Sequence, residues 1–196
     1  TRIGILALQG AFIEHEKTLQ NLGVETQQVR LPSDLTHLDG LIIPGGESTT
    51  IGKLAVQYGL IEPLKHFANA RPTWGTCAGL IFLAKNLGHN VQPILGAMDI
   101  TVNRNAFGRQ IDSFETDLAV KPFGDVPFHA VFIRAPIVEG INDAAQPNVD
   151  ILAQLDAQRI VAVQQGHLLG TAFHPELTDD NRFHRYFADM VRQNKA

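Results

Sequence analysis

The chain has 196 residues, 44% of them hydrophobic and 18% charged, and 16 basic against 20 acidic side chains give a formal net charge of −4. That length suits one domain over residues 1–196, burying roughly 70% of the surface its unfolded chain exposes, and the acidic balance lacks the phosphate-neutralising excess of a general nucleic-acid binder. The single cysteine, Cys77, excludes an intrachain disulfide and a Cys-pair metal site, and no apolar run reaches the roughly 18 residues of a membrane span.

In chain order, Ile3–Leu8 reads as a buried strand. It lacks the charged-then-apolar pattern of a secretory signal, so a cytoplasmic protein is expected. Phe12, Leu19 and Leu22 space a helix that Gly23 ends. Val24–Val29 is a second strand, and Leu41-Ile42-Ile43 a third, stopped by Pro44-Gly45-Gly46. Thr49 to Tyr58 and Ile61 to Ala68 read as helices. Pro72-Thr73-Trp74 leads into a tight turn, and Leu80 to Leu87 is helical with Gly88 behind it. This alternation predicts a parallel sheet covered on both faces.

The second half changes character. Ile100-Thr101-Val102, Phe114 to Val120, Phe128 to Ile133, Val149 to Leu155, Ile160 to Val163 and Leu168 to Phe173 read as short strands that form hairpins or extend the sheet. Asp179 to Arg192 closes the chain as a helix with Phe183, Phe187 and Met190 inward. The class is α/β with a mixed sheet.

Cys77 sits in Gly75-Thr76-Cys77-Ala78-Gly79, a G-x-nucleophile-x-G pattern with Cys in place of Ser. Such a nucleophile stands on a strained strand-to-helix turn, and small neighbours avoid clashes. A lone free cysteine is ordinarily a small core residue. The flanking glycines and the strand–turn–helix setting favour a nucleophile instead, reacting as a thiolate.

A cysteine nucleophile needs a base, and eight histidines are available. His15, His37, His66 and His89 have polar neighbours and read as solvated. His129 and His167 fall in or beside strands, and His184 on a helix face. His174 differs, because it follows an apolar strand and opens His174-Pro175-Glu176. The proline favours an extended His174, which puts residues 174 and 176 on one side. Glu176 can then accept the second ring N–H and fix tautomer and orientation, as a triad acid does. His-Pro-Glu alone is a weak signal; about 100 residues after the Cys elbow it is a strong one.

Acyl transfer also needs oxyanion donors. The Ala78 N–H follows the nucleophile directly. Pro44-Gly45-Gly46, at the end of a strand, can supply the second, although by itself it reads as an ordinary turn.

Together these residues resemble the triad-type (class I) glutamine amidotransferases. Leu8-Gln9-Gly10-Ala11, Pro44-Gly45-Gly46-Glu47-Ser48-Thr49-Thr50, Arg104-Asn105-Ala106-Phe107-Gly108-Arg109-Gln110, Phe132-Ile133-Arg134-Ala135-Pro136 and Phe173-His174-Pro175-Glu176-Leu177-Thr178 are similar to the glutaminase subunits of pyridoxal 5′-phosphate synthase. The resemblance runs from near residue 3 to near residue 190 with no departure at a motif position.

It implies a flavodoxin-like three-layer fold with a mixed, mainly parallel central sheet. It implies hydrolysis of L-glutamine to glutamate and ammonia through Cys77, His174 and Glu176, with Gly46 and Ala78 as oxyanion donors. By the same analogy Gly46, Glu47, Ser48, Arg104, Ile133 and Arg134 bind glutamine. Gln9 stands at the end of the first strand, near where a parallel sheet places its ligands, and is expected to order the oxyanion loop or meet the partner. That partner is a synthase subunit of TIM-barrel type, in a hetero-oligomer, which takes up the ammonia. No cofactor, metal, nucleic acid or membrane is implied. An amino acid offers an ammonium, which suits Glu47, and a carboxylate, which suits an arginine.

Two rivals stand beside this reading. One is another Cys-His-Glu amidohydrolase, such as the glutaminase of a different pathway or a small cysteine peptidase. The other is a non-catalytic binding module on the same scaffold, with the Gly45-Gly46 loop cradling a phosphate. No P-loop lysine follows that loop and no G-x-G-x-x-G occurs there, so nucleotide binding has weak support.

Overall fold

Short continuous apolar runs form the parallel centre of a ten-stranded sheet. The structure, a computed structural model, describes residues 1–108, 112–142 and 148–195. Arg109 and Gln110 of the Arg104–Gln110 motif lie outside the described residues. In chain order the elements are β1 (Arg2–Leu6), α1 (Phe12–Asn21), β2 (Glu25–Val29), β3 (Gly40–Ile43), α2 (Ser48–Gln57), α3 (Ile61–Ala70), β4 (Thr73–Thr76), α4 (Ala78–Leu83) and β5 (Ala84–Asn86). There follow β6 (Met98–Asn103), β7 (Ser113–Leu118), β8 (Phe128–Ile133), β9 (Ile137–Ile141), β10 (Val149–Asp156), β11 (Arg159–Gln165), β12 (Leu168–Thr171) and α5 (Arg182–Asn194).

The strand order is β2-β1-β3-β4-β12-β11-β9-β6-β5, with β10 paired to β11 and a separate β7–β8 ribbon. From β2 to β12 all pairings are parallel. Beyond β12 the sheet turns antiparallel through β11, β9 and β6. The parallel strands β3, β4 and β12 are buried throughout, as strands covered on both faces must be.

Alternation along β4 defines the layers. Trp74 points to one face, where it packs on Phe183 and Phe187 of α5 and beside His15 of α1. Gly75 points to the other face, against Gly79 of α4. The result is a three-layer α/β arrangement with a mixed, mainly parallel sheet. On β8, Phe128, Ala130 and Phe132 face inward and His129 and Ile133 outward. Phe132 stacks on Phe114 of β7 with centroids 4.6 Å apart.

Three expectations change. The helix expected over Leu80 to Leu87 ends at Leu83, because Ala84 turns extended (ψ 146°) and β5 pairs with β6. All six α4 residues are buried, so the run carries no amphipathic period to mark its end. The strand β9 is not among the expected elements, although Ile137, Val138 and Ile141 are β-branched. His15, expected in solvent, is fully buried between α1, β4 and α5.

Candidate active site

β4 lies between β3 and β12, and the chain leaves all three at their carboxyl ends, where open parallel sheets place ligands. The exits carry Gly45-Gly46, Cys77 and His174 respectively, so neighbouring strands deliver the three parts of the site to one edge.

Cys77 ends β4 with φ +50° and ψ −105°, a conformation that L side chains rarely adopt. Its amide is tied to the Thr171 carbonyl of β12 at 2.8 Å, and α4 starts at the next residue. A Cβ on Gly79 would lie 1.9 Å from the Ile43 carbonyl oxygen, so only glycine lets α4 sit this close to β3. The thiol lies 3.8 Å from the Ile133 carbonyl oxygen, and Cys77 is 7% exposed, at the floor of an open cleft.

His174 follows β12, with its amide donating to the Val131 carbonyl of β8 at 2.9 Å. Its Nδ1 lies 2.6 Å from Oε1 of Glu176. The extended spacing expected for this pair needs correction: Glu176 is not on an extended strand but in the 3-10 turn Pro175–Leu177. That turn folds residue 176 back under the ring. With Nδ1 occupied, the other ring nitrogen is the one left to serve Cys77, which lines the same cleft. Burial opposes a charged ring, yet the hydrogen bonds with Cys77 and Glu176 and their negative charges raise the His174 pKa to about 10. The shift favours a protonated ring beside the sulfur, the form that can hand a proton to a leaving group.

Gly45 lies directly across from this pair. A Cβ there would fall 2.6 Å from Cε1 of His174 and 3.3 Å from Cβ of Cys77. The Gly45 carbonyl accepts from the Ala11 amide at 3.0 Å, and Oε1 of Gln9 accepts from the Glu47 amide at 2.8 Å. The loop after β3 is thus fastened to the loop after β1. Since C=O and N–H point oppositely across a trans peptide, the Gly46 N–H is directed away from Ala11.

The cleft, about 490 Å³, is lined by Gly46, Glu47, Ser48, Arg104 and Ile133–Arg134 around Cys77, Ala78 and His174. All the residues singled out in the sequence as substrate contacts therefore converge. Their present bonds differ, however. Glu47 caps α2: each carboxylate oxygen accepts one backbone amide and one hydroxyl, from Thr49 and from Thr50. Those hydroxyl bonds lower its pKa to about 2. All four lone-pair sites of the carboxylate are occupied, so Glu47 offers an ammonium its charge rather than a vacant acceptor. Arg104 donates to Oε1 of Gln92, which the Ser48 hydroxyl also approaches at 3.5 Å. Arg134 has φ +45° and a largely exposed guanidinium that reaches toward Asp112 at 3.7 Å.

Two residues in this neighbourhood escape sequence reasoning. Gln92 lies in a segment without periodicity, and nothing in the chain pattern marks it. His15 does carry a signal, masked by its polar neighbours: with Phe12 and Leu19 it falls at the i, i+3, i+7 spacing of the inner face of α1. Among the described residues, no group of three or more His, Cys, Asp or Glu is placed to hold a metal ion. No helix among them is long and apolar enough to cross a membrane.

Comparison with known proteins agrees with this architecture. The profile of the SNO glutamine amidotransferase family matches residues 5–193. The pyridoxal 5′-phosphate synthase subunit PdxT of Herpetosiphon aurantiacus is 60% identical over 192 residues, covering 96% of this chain and 99% of that protein. The PdxT of Carboxydothermus hydrogenoformans is 53% identical over 191 residues, 97% of each. A crystal structure described as a glutamine amidotransferase superposes with a TM-score of 0.88 at 47% identity, covering 97% of this chain and 98% of that one. The structure of PurLQS from Thermotoga maritima shares the fold, with a TM-score of 0.66 at 16% identity over 98% of this chain and 96% of that one. The sequence match over nearly the whole chain, with a cysteine elbow and a His-Glu pair meeting in one cleft, makes this protein a member of the SNO glutamine amidotransferase family.

Proposed function

We propose that this chain is a cytoplasmic glutaminase, acting as one domain over residues 1–196. It hydrolyses L-glutamine to L-glutamate and ammonia and delivers the ammonia to a TIM-barrel synthase subunit that makes pyridoxal 5′-phosphate. The single observation that carries the reading is Cys77 and His174 lining one cleft, with Glu176 buried behind the imidazole on its Nδ1.

The Cys77 sulfur attacks the side-chain carbonyl carbon of glutamine, and the carbonyl electrons move to oxygen. The N–H groups of Ala78 and Gly46 receive that oxyanion. Ala78 opens α4 and has no helical carbonyl behind it to bond. Gly46 faces away from the loop that binds the Gly45 carbonyl. The tetrahedral adduct collapses as the His174 imidazolium gives its proton to the departing nitrogen, which leaves as ammonia. A γ-glutamyl thioester remains. The neutral imidazole then takes a proton from water, the hydroxide adds to the thioester, and glutamate departs while sulfur regains its charge. Glu176 holds His174 in one tautomer throughout.

At the other end of the substrate, Glu47, Ser48, Ile133 and the arginines Arg104 and Arg134 form the binding wall, which Gly46 joins to the oxyanion donors. Arginine pairs a carboxylate bidentately, and the negative Glu47 sits where an ammonium gains from its field. Gln9 orders the oxyanion loop through its bond to the Glu47 amide.

The test uses the complex of this chain with its synthase partner. One mass increment, at Cys77, is expected from a glutamine-type electrophile, and Cys77→Ala is expected to assemble normally while releasing no ammonia. Unlabelled Cys77 in the active complex, or ammonia release by Cys77→Ala, would reject the mechanism. Turnover of peptides instead of glutamine would reject the substrate.

A further inference from the structure

Behind the triad lies a dry box that this mechanism does not use. His15 of α1 and His184 of α5 are both fully buried, with Nδ1 of His15 2.8 Å from Nε2 of His184. The Trp74 ring stands edge-on to both, at 5.5 and 5.0 Å. On its other side, Nε2 of His15 lies 3.4 Å from Oε2 of Glu176 and 3.3 Å from the Thr76 hydroxyl. Oε2 is buried and makes no hydrogen bond, so the ring nitrogen of His15 is the polar atom brought nearest to an unpartnered carboxylate oxygen.

The unpartnered carboxylate oxygen beside His15 favours one assignment of both rings, because the Thr76 hydroxyl can donate or accept but the carboxylate cannot donate. An ionised carboxylate only accepts, so the His15 proton belongs on Nε2. Its Nδ1 is then a lone pair, and His184 must donate from Nε2. That leaves Nδ1 of His184 as a bare lone pair, and this is the ring nitrogen of the two histidines without a partner. The opposite assignment would set the lone pair of His15 against the Glu176 oxygen. Burial keeps both rings neutral, as the assignment requires. It pushes His15 well down, and any positive charge on His184 or His174 would oppose protonation of His15 further; it pushes His184 down to about 3. The titratable groups facing His15 are His184 from α5, Glu176 from the 3-10 turn and His174 beyond it. Trp74 and Thr76 of β4 bring no charge.

We propose that His15 is a positioning residue for Glu176. Its Nε2–H holds Oε2, which keeps Oε1 aimed at Nδ1 of His174, and His184 sets the tautomer that makes Nε2 the donor. The relay thus extends from sulfur through imidazole, carboxylate and imidazole to a final imidazole. The proposal rests on the triad reading above.

The experiment compares His15→Leu, His15→Gln and Glu176→Gln in the complex with the synthase partner, measuring kcat, KM and the pH profile of ammonia release. A misaimed triad costs about 10- to 100-fold, so His15→Leu is expected to lose that much kcat with KM little changed and with its pH profile displaced. His15→Gln keeps an N–H near the same place and is expected to restore most of the rate. His15→Leu with the wild-type kcat and pH profile, beside an inactive Glu176→Gln, overturns this proposal and leaves the triad standing. An active Glu176→Gln overturns the triad reading and this proposal with it. Should His15→Leu fail to fold, heteronuclear NMR of the unaltered protein decides. Nε2–H tautomers at both histidines support the proposal, and an Nδ1–H tautomer at His15 overturns it.

Discussion

Oε1 of Gln9 accepts the main-chain N–H of Glu47 at 2.8 Å, joining the loop after β1 to the loop after β3 across 38 positions of sequence. The same acceptor lies against Gly46, since a Cβ there would fall 2.4 Å from it. Gln9→Ala is expected to free the Gly45–Glu47 loop and to lower kcat/KM about tenfold, the rate equivalent of one hydrogen bond of about 1.4 kcal/mol. Gln9→Glu keeps an acceptor and should lose less. Steady-state ammonia release by the two variants in the synthase complex checks this, and equal rates for Gln9→Ala and the wild type would remove the role.

Cys77 is held at φ +50°, a conformation worth about 1–3 kcal/mol of strain for a non-glycine residue. Cys77→Ala and Cys77→Gly are both expected to be inactive. Of the two, Cys77→Gly should be the more stable, by up to about 1 kcal/mol, because it relaxes the turn, although the unfolded chain gains entropy in return. Denaturant midpoints of the two variants decide, and a less stable glycine variant would show that the elbow is not strained.

Gln92 shares one amide oxygen between Arg104 and Ser48 at the cleft wall. Gln92→Leu leaves Arg104 without that acceptor and far from its present aim. The expected result is a rise in KM for glutamine of about tenfold, the size of one charge-assisted bond, with kcat little changed. An unchanged KM would place Arg104 outside the binding wall.

The histidines give the pH dependence of stability opposite signs on its two sides. Burial pushes the pKa of His184 down from 6.5 to about 3 in the folded chain. Between these values the unfolded chain binds the proton and the folded chain does not. Stability is therefore lost as pH falls from 6.5 toward 3, by up to about 1.4 kcal/mol per pH unit for one proton. His174 is raised to about 10, so its contribution is complete below 6.5 and is lost as pH climbs through 10. Urea melts are expected to show an acid limb that His184→Phe flattens, whereas an unaltered limb would mean that His184 is charged when folded.

The candidate site is legible because the chemistry proposed for it is written in short motifs. A lone cysteine between glycines announces the elbow, and His-Pro-Glu after an apolar strand announces its partner. Neighbouring motifs also name the cleft wall. What stays hidden is geometry that short patterns do not encode. Residues 174 and 176 meet through a 3-10 turn and not through extended spacing. Glu47 reads as a ligand for an ammonium, but its oxygens are engaged in capping α2. The apolar run after Cys77 hides its own helix end, because residues buried all round have no polar face to break the pattern. His15 reads as solvated because its polar sequence neighbours outweigh its spacing with Phe12 and Leu19, and a tertiary contact with α5 lies beyond any local window.

The β7–β8 ribbon is not part of the ladder that aims the sulfur, yet its last residue, Ile133, and the following Arg134 stand over that sulfur. The ribbon is nonetheless tied to the imidazole, because the Val131 carbonyl, two residues before Ile133, accepts the His174 amide. A substitution that moves the end of β8 therefore reaches the cleft twice, once through its lining and once through the ring that faces the sulfur.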